Sequence, residues 1–447
     1  MPDIYKIKRG LEIPLSGVAA ASVRKVPGET AAVCPDNFKG LVPRLLVKEG
    51  DPVLAGSPVI SDKNNPAILL VSPVSGTVQG IVRGDKRKLL AVEIKPDGLG
   101  GASSFPKRDP SALSGTQVRE ALLESGLWPF LVQRPFGVVA NPSLTPKAIF
   151  ISAFSTAPLA ADTEFTLASD IRYIQAAVTA LGRIAPIHLS VSSANSVFAG
   201  IQGASIHLFQ GKHPAGNVGV QISHISPILK GDTVWTVCPD GLAAMGRLFL
   251  EGCYDVRRKV AVCGPAAKDP AYIEALPGMS FTQIADFCGV PDGLRIISGD
   301  VLSGTDAGCL GFFHNQVTIV KEGTEKELLG WMRPLRLNQF SADRTYFHWC
   351  LSPLLKGRRY SLDTNLHGGP RAFVMSDSYY SRVLPMDIYP VYLAKACLAG
   401  DIDKMEKFGI YEVLPEDLAL CEYIDPSKND IQDIIAKGID LMLKETA

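Results

Sequence analysis

Between Leu41 and Ile81 every apolar stretch is short and is closed by residues that turn a chain: Gly50 and Asp51, Gly56, Asn64 to Pro66, Ser75 and Gly76. Turns set this closely leave no room for a helix with a full apolar face, whereas short strands fit between them. Strands joined in this way close into a small barrel or sandwich, and residues 1–105 are read as that module. The basic run Arg83, Lys86, Arg87 and Lys88 surrounds Gly84 and Asp85. It reads as a solvated hairpin tip, with a docking surface for an acidic partner as the alternative.

The phrases VKEGDPVLAGSPV and VSPVSGTVQGI resemble the two halves of a biotinyl or lipoyl domain. True carriers place a modifiable lysine at the hairpin tip between such halves. Lys63 stands in that region, within Asp62 to Pro66, but without a carrier's flanking pattern. An unmodified, lipoyl-like barrel-sandwich is the reading that follows.

Beyond residue 106 the rhythm changes. Gln117 to Ser125 carries apolar residues at helical spacing, and Gly126 can end that helix. Ala148 to Ala153 reads as a buried strand, Ile171 to Gly182 as a helix, and Ile187 to Val191 and Ile206 to Phe209 as strands. Alternation of strand and helix predicts a Rossmann-like α/β domain with a parallel sheet over 106–256. Between its first helix and first strand lies a loop from Gly126 to Gly137 crowded with Trp128, Phe130, Arg134 and Phe136. Lys212 to Gly219 reads as a Gly/Pro turn with a surface histidine, His213.

In the next stretch, Arg258 to Gly264, Leu294 to Ser298 and Val317 to Val320 read as strands, with a short helix from Phe281 to Cys288. Strand, short helix, strand and glycine turns fit a β-grasp domain over 257–340. Gly299, Gly304 and Gly308 sit in its loops without a phosphate-binding lysine motif, so turn chemistry accounts for them. Over 341–447, Met386 to Leu398 reads as a helix that Gly400 can cap, Asp401 can start the next, and Ile431 to Leu443 forms an apolar helical stripe. This end is read as a helical bundle.

Charge and cysteine usage exclude several functions. Lys plus Arg number 45 and Asp plus Glu number 45, so there is no cationic excess for nucleic acid. No apolar stretch reaches the roughly 18–20 residues that cross a bilayer. Met1 to Gly10 is charged and alternating, unlike a secretory signal. The protein is therefore expected on the cytoplasmic side, joined to a membrane only through a partner. The nine cysteines are widely spaced without a CxxC, and the seven histidines show no HxxxH or HExxH. They read as buried small hydrophobes and scattered rings, and no metal site is expected.

The layout of the middle domain is similar to the flavin-binding domain of the NADH-oxidising subunit of respiratory complex I and of the Rnf complex C subunit. Those proteins carry a GxGGAGFPT-like loop whose bare backbone meets the flavin phosphate. They follow their strand with an NGxECEP-like turn. This chain has bulky side chains in the loop, and Ser152 to Pro158 in the turn, with no acid before Asp162. The comparison makes Lys212 to Gly219 the remnant of a YPxGG-like turn. The Rnf relative also holds ferredoxin clusters on CxxCxxCxxxCP runs. Reading back from Pro426, the matching positions are Pro415, Leu418, Cys421 and Asp425, a single thiol where each cluster needs four. FMN and iron–sulfur clusters are both expected to be absent.

Several further motifs resemble the NqrA family, the A subunit of the sodium-translocating NADH:quinone reductase: Ile7 to Glu12, Ser72 to Gly76, Glu124 to Trp128 with Arg134 to Phe136, His213 to Gly216, Arg295 to Gly304, and Glu416 to Cys421. The resemblance covers the chain from Met1 to about Lys444; Asp425 departs from it where some members keep a cysteine. It implies a peripheral subunit on the cytoplasmic face of the bacterial inner membrane, in a complex that passes electrons from NADH to ubiquinone and exports sodium. It also implies no redox centre in this chain, a seat on the membrane flavoprotein (the B subunit), and a part in the quinone end of the reaction. A quinone ring needs an apolar, aromatic slot and a donor or two. Trp128, Phe130, Arg134 and Phe136 are the candidate quinone contacts, with the alternative that they only plug the former flavin space. The competing functions are a purely structural scaffold of the same complex and a stand-alone flavin oxidoreductase.

Overall fold

The computed structural model describes residues 3–26, 30–324, 339–342, 357–365 and 376–446. Cys350, the divide expected at 340, and the start of the expected helical module lie at or beyond the limits of the described residues.

The barrel is built from two small sheets. One runs Ala31–Val33, Leu89–Pro96, Gly76–Arg83, Pro52–Val53, and the other Pro43–Leu45, Pro58–Asp62, Leu69–Val71. Period-two alternation puts Val33, Val53, Val59, Leu70, Val78, Val92 and Ile94 into one core. The basic tip is as expected: Lys86, Arg87 and Lys88 are exposed at the turn between Gly76–Arg83 and Leu89–Pro96.

The chain's first strands do not stay with this barrel. Asp3–Ile7 pairs in parallel with Ser205–Gly211, and Ala20–Lys25 pairs in parallel with Ala271–Ala275. The local pattern groups both with the barrel, whereas each strand's ladder lies in another sheet. A lone edge strand carries its unpaired amides to whichever sheet edge is free, and local pattern does not say which.

The middle domain is centred on a seven-stranded sheet in the order Asp3–Ile7, Ser205–Gly211, Ile187–Val191, Ile149–Ser152, Val234–Thr236, Val132–Arg134, Val138–Val139. The first five run parallel, Val132–Arg134 joins them antiparallel, and Val138–Val139 pairs antiparallel to Val132–Arg134 in turn. On one face Ile149, Ile151, Leu189 and Trp235 meet the helices Ile171–Leu181 and Pro239–Glu251. On the other, Phe150 meets Ile222 of Val218–Ile225. The two helices of the first face approach closely at Gly246, where an added Cβ would lie 2.0 Å from the Tyr173 carbonyl oxygen.

A five-stranded mixed sheet follows, in the order Leu294–Ser298, Gln316–Lys321, Arg258–Cys263, Ala271–Ala275, Ala20–Lys25. The helix Phe281–Cys288 packs Ile284 into its core. The last described stretch is helical: Pro390–Ala399, Ile402–Phe408, Ala419–Ile424 and Ile431–Thr446. Gly400 closes the first of these in the left-handed region, and the Asp401 side chain accepts the Lys404 amide to start the second. Ile431, Ile435, Ile439 and Met442 turn inward. No described helix is long and apolar enough to cross a membrane.

Two further expectations are corrected. His213 is buried, not at the surface, with its Nδ1 3.3 Å from the Thr156 hydroxyl. Of the described cysteines only Cys263, Cys309 and Cys421 are buried; Cys34, Cys238, Cys253, Cys288 and Cys397 are partly exposed.

Candidate functional site

The crowded loop is set by the helix before it. In Gly115–Glu124 the Ser114 hydroxyl accepts the Gln117 amide, and the Gln117 side chain accepts the Ser114 amide. This reciprocal cap satisfies two amides that would otherwise lack partners. The chain then turns at Gly126, whose φ of +71° and a Val71 methyl 2.3 Å from any Cβ admit no side chain.

The four candidate residues then diverge. Trp128 is enclosed, donating its indole N–H to the Ala140 carbonyl at 2.7 Å and meeting Trp235 edge-on at 5.4 Å. Phe130 points the other way, its ring 4.5 Å from that of Phe312, in a space that exists because position 241 is glycine. Phe136 adopts a φ of +84° and faces Tyr411 at 5.9 Å. Such a conformation costs about 1–3 kcal/mol in a side-chain-bearing residue and persists only where packing holds it. The structure therefore does not gather the four around one slot.

Arg134 makes the link that matters most for the architecture. It lies at the end of Val132–Arg134, 2% exposed. One of its nitrogens sits 2.9 Å from Asp417 Oδ2 and another 2.9 Å from Glu416 Oε1. Asp417 is enclosed, whereas the Glu416 side chain is 42% exposed, so Asp417 is the partner that answers the buried charge. Burial works to lower the Arg134 pKa, but Asp417 and Glu416 outweigh it and hold the guanidinium above its ordinary value. Asp417 Oδ2 also accepts the Leu414 amide at 3.0 Å, and Asn217 donates to the Glu416 carbonyl at 3.3 Å. Gly219 is bare beside them; a Cβ there would lie 2.3 Å from Asp417 Oδ2. Asp417 and Glu416 belong to the run that has the outline of a ferredoxin motif.

In that run Pro415 and Leu418 form a 3-10 turn, and Cys421 lies in the helix Ala419–Ile424. Leu418 and Cys421 pack with Ile424, Ile431 and Ile435, and burial pushes the Cys421 thiol well above its ordinary range. Asp425 is enclosed, with Oδ2 accepting both nitrogens of Asn429 at 2.8 and 2.7 Å. One protonated thiol within an aliphatic core does not meet a cluster's need for four thiolates. Among the described residues no three His, Cys, Asp or Glu side chains gather as a metal site.

Sequence reading missed a second place. Where the barrel, the α/β domain and the five-stranded sheet meet, Phe38, Leu70, Val71, Pro129, Tyr254 and Phe312 line a cavity of about 20 Å³. A space of that size holds little more than a water. Close by, Arg258 is 5% exposed, and none of its three guanidinium nitrogens has a hydrogen-bond partner among the described residues. It lies 5.9 Å from the centre of the Phe312 ring. Asp240, held by Asn315 at 3.5 Å, feels it: burial pushes the Asp240 carboxyl up and Arg258 pulls it back. In the sequence Arg257, Arg258 and Lys259 look like an ordinary surface run; only the strand's alternation, which turns Arg258 inward, could have flagged it.

Comparison with known proteins adds to this geometry. Residues 5–97 match the model of the NqrA N-terminal barrel-sandwich hybrid domain, 113–254 that of the NqrA second alpha/beta domain, and 259–308 that of the NQRA C-terminal domain. Among similar proteins, the A subunit of the Na(+)-translocating NADH-quinone reductase of Yersinia pseudotuberculosis is 35% identical over 442 residues, covering 97% of this chain and 98% of its own. The protein of the same name from Neisseria meningitidis is 35% identical over 453 residues, covering 99% and 100%. That from Pseudomonas aeruginosa is 34% identical over 444 residues, covering 98% of each. The solved NAD+-reducing [NiFe]-hydrogenase in the air-oxidized state superposes over 73% of this chain and 64% of its own, with 10% identity and a TM-score of 0.37, too loosely to argue from.

Proposed function

The chain belongs to the NqrA family, the A subunit of the Na(+)-translocating NADH-quinone reductase, and from that premise we propose that it serves such a complex as a peripheral component without a redox centre of its own. In this reading it sits on the cytoplasmic face of the bacterial inner membrane, against the membrane flavoprotein (the B subunit) and the other components. It acts where electrons from NADH reach ubiquinone and sodium is exported. The finer fold assignments belong to the same reading: a lipoyl-like barrel, a Rossmann-like domain, a β-grasp module and a helical end, divided near 105, 256 and 340.

The observation that carries the proposal is the pairing of Arg134 with Asp417. A flavin phosphate needs free amides and a wide approach, and a cluster needs thiolates. The loop and the run that resemble those two sites instead bond to one another, with a cation in one and carboxylates in the other.

For ubiquinone, the loop's part narrows to the Pro129–Phe130 side, beside the cavity that Phe38, Tyr254 and Phe312 line. The rings supply an apolar slot, and Arg258 supplies donors for a carbonyl oxygen; the cavity must open to admit the ring. Trp128, Arg134 and Phe136 then hold the loop in place. The scaffold reading stays in view for a specific reason: each of the four loop residues already has a partner within the chain.

Reassembling the complex with and without this chain separates the two. Loss of NADH:ubiquinone activity and sodium uptake without it supports the proposal. Retained pumping with only poorer stability favours the scaffold.

A further inference from the structure

Cys34 and Cys309 lie 275 residues apart in sequence, yet their sulfurs are 3.6 Å apart. Cys34 follows the barrel strand Ala31–Val33, and Cys309 stands in the segment before Gln316–Lys321. The contact is fixed by backbone on both sides. The Ala32 amide donates to the Gly278 carbonyl at 2.9 Å, Gly278 to Leu310 at 2.7 Å, and Leu310 to Met279 at 2.8 Å. Asn37 ties the two segments once more, donating to the Cys34 carbonyl at 3.1 Å and accepting the Phe312 amide at 3.3 Å. Each thiol is thus held against the other by its main chain, with only side-chain torsions left to adjust.

A disulfide bond is about 2.05 Å long, so the sulfurs need close by less than about 2 Å. The two thiols also differ. The S–H shared between the sulfurs, with either able to donate, holds one thiol below its ordinary pKa and pushes the other upward. An acidified thiol beside a second one is the arrangement that oxidises first and is then resolved. Cys34 is partly exposed and lines the cavity with Phe38 and Phe312, whereas Cys309 is buried behind it.

We propose that Cys34 and Cys309 form a reversible dithiol–disulfide site that staples the barrel to the five-stranded sheet, with a hydroperoxide as oxidant. One thiolate attacks a peroxide oxygen; the O–O bond breaks, a sulfenic acid forms and one water leaves. The second thiol attacks that sulfur, the S–S bond forms and the second water leaves. Two thiols lose two electrons and two protons, and hydrogen peroxide becomes two waters. The site is independent of the quinone reading, since it needs neither quinone nor the assembled complex.

The test is a thiol count and a non-reducing peptide map of the full chain after treatment with hydrogen peroxide. The expected result is a fall of two titratable thiols, a Cys34–Cys309 linked peptide, and recovery of both thiols with dithiothreitol. Cys34→Ser and Cys309→Ser should each abolish the linked peptide while the other variant's thiols stay countable. The wild-type map needs no variant to fold, so it decides alone. Both cysteines recovered unlinked after peroxide, or linked to other cysteines as often as to each other, overturns the proposal.

Discussion

Arg134 and Asp417, 283 residues apart in sequence, face each other at 2.9 Å with both side chains almost closed off from solvent. The pair joins the loop after the first helix to the turn before Cys421. Breaking a buried pair from one side leaves an uncompensated charge, at a cost of about 3–5 kcal/mol. Arg134→Met should therefore lower the denaturant midpoint by that equivalent. Adding Asp417→Leu should restore part of the loss, though not all, because Asp417 also accepts the Leu414 amide. A double-mutant cycle by chemical denaturation measures both.

Glu412 sets a pH dependence. Burial, and then Asp387, push its pKa from 4.5 to about 7. A carboxyl whose folded value is raised favours the folded state when protonated, so its contribution is present below about 4.5 and lost as pH rises through about 7. Glu412→Gln keeps the neutral form throughout. The variant should match the wild type in acid and gain on it as pH rises to about 8, past the folded value, read from paired unfolding curves across that range.

Gly246→Ala should destabilise despite alanine's better helix propensity. Its Cβ would meet the Tyr173 carbonyl oxygen at 2.0 Å, and backbone on both sides leaves nothing flexible to yield. Overpacking of this kind costs about 1–3 kcal/mol, against a gain of up to ~1 kcal/mol from propensity. A lowered melting temperature checks it.

Arg258 separates stability from function. Its buried guanidinium has no hydrogen-bond partner among the described residues, so methionine removes a desolvation penalty that the Asp240 charge and the Phe312 ring offset only in part. Arg258→Met should therefore raise the melting temperature of the isolated chain. In the assembled complex the same change should raise the KM for ubiquinone about tenfold or more, since a charged hydrogen bond is worth about 1.5–3 kcal/mol. NADH oxidation with an artificial acceptor should be unchanged. Steady-state kinetics with both acceptors reads the difference.

Local pattern made much of the fold legible. Ile187–Val191, Phe281–Cys288 and Leu294–Ser298 fall at the residues their apolar periodicity indicates, and Asp401 caps its helix as its type suggests. These are features a window of about ten residues decides. Asp3–Ile7 and Ala20–Lys25 are different, because the sheets they join are distant in sequence. The site divides the same way. That the Gly126–Gly137 loop is filled with side chains is plain from the residues themselves. That Arg134 directs its charge at Asp417 depends on a contact across most of the chain. A general rule could have raised the question, since an arginine among Trp, Pro and Phe needs a buried partner.

In the proposed reading, the loop and the run that resemble flavin and cluster sites close on one another through Arg134, Glu416 and Asp417. The most direct measurement is the visible absorption spectrum of the purified full chain, with its iron and flavin content. No flavin or cluster band is expected, and neither iron nor flavin in stoichiometric amount. One flavin, or one cluster, per chain would contradict that reading.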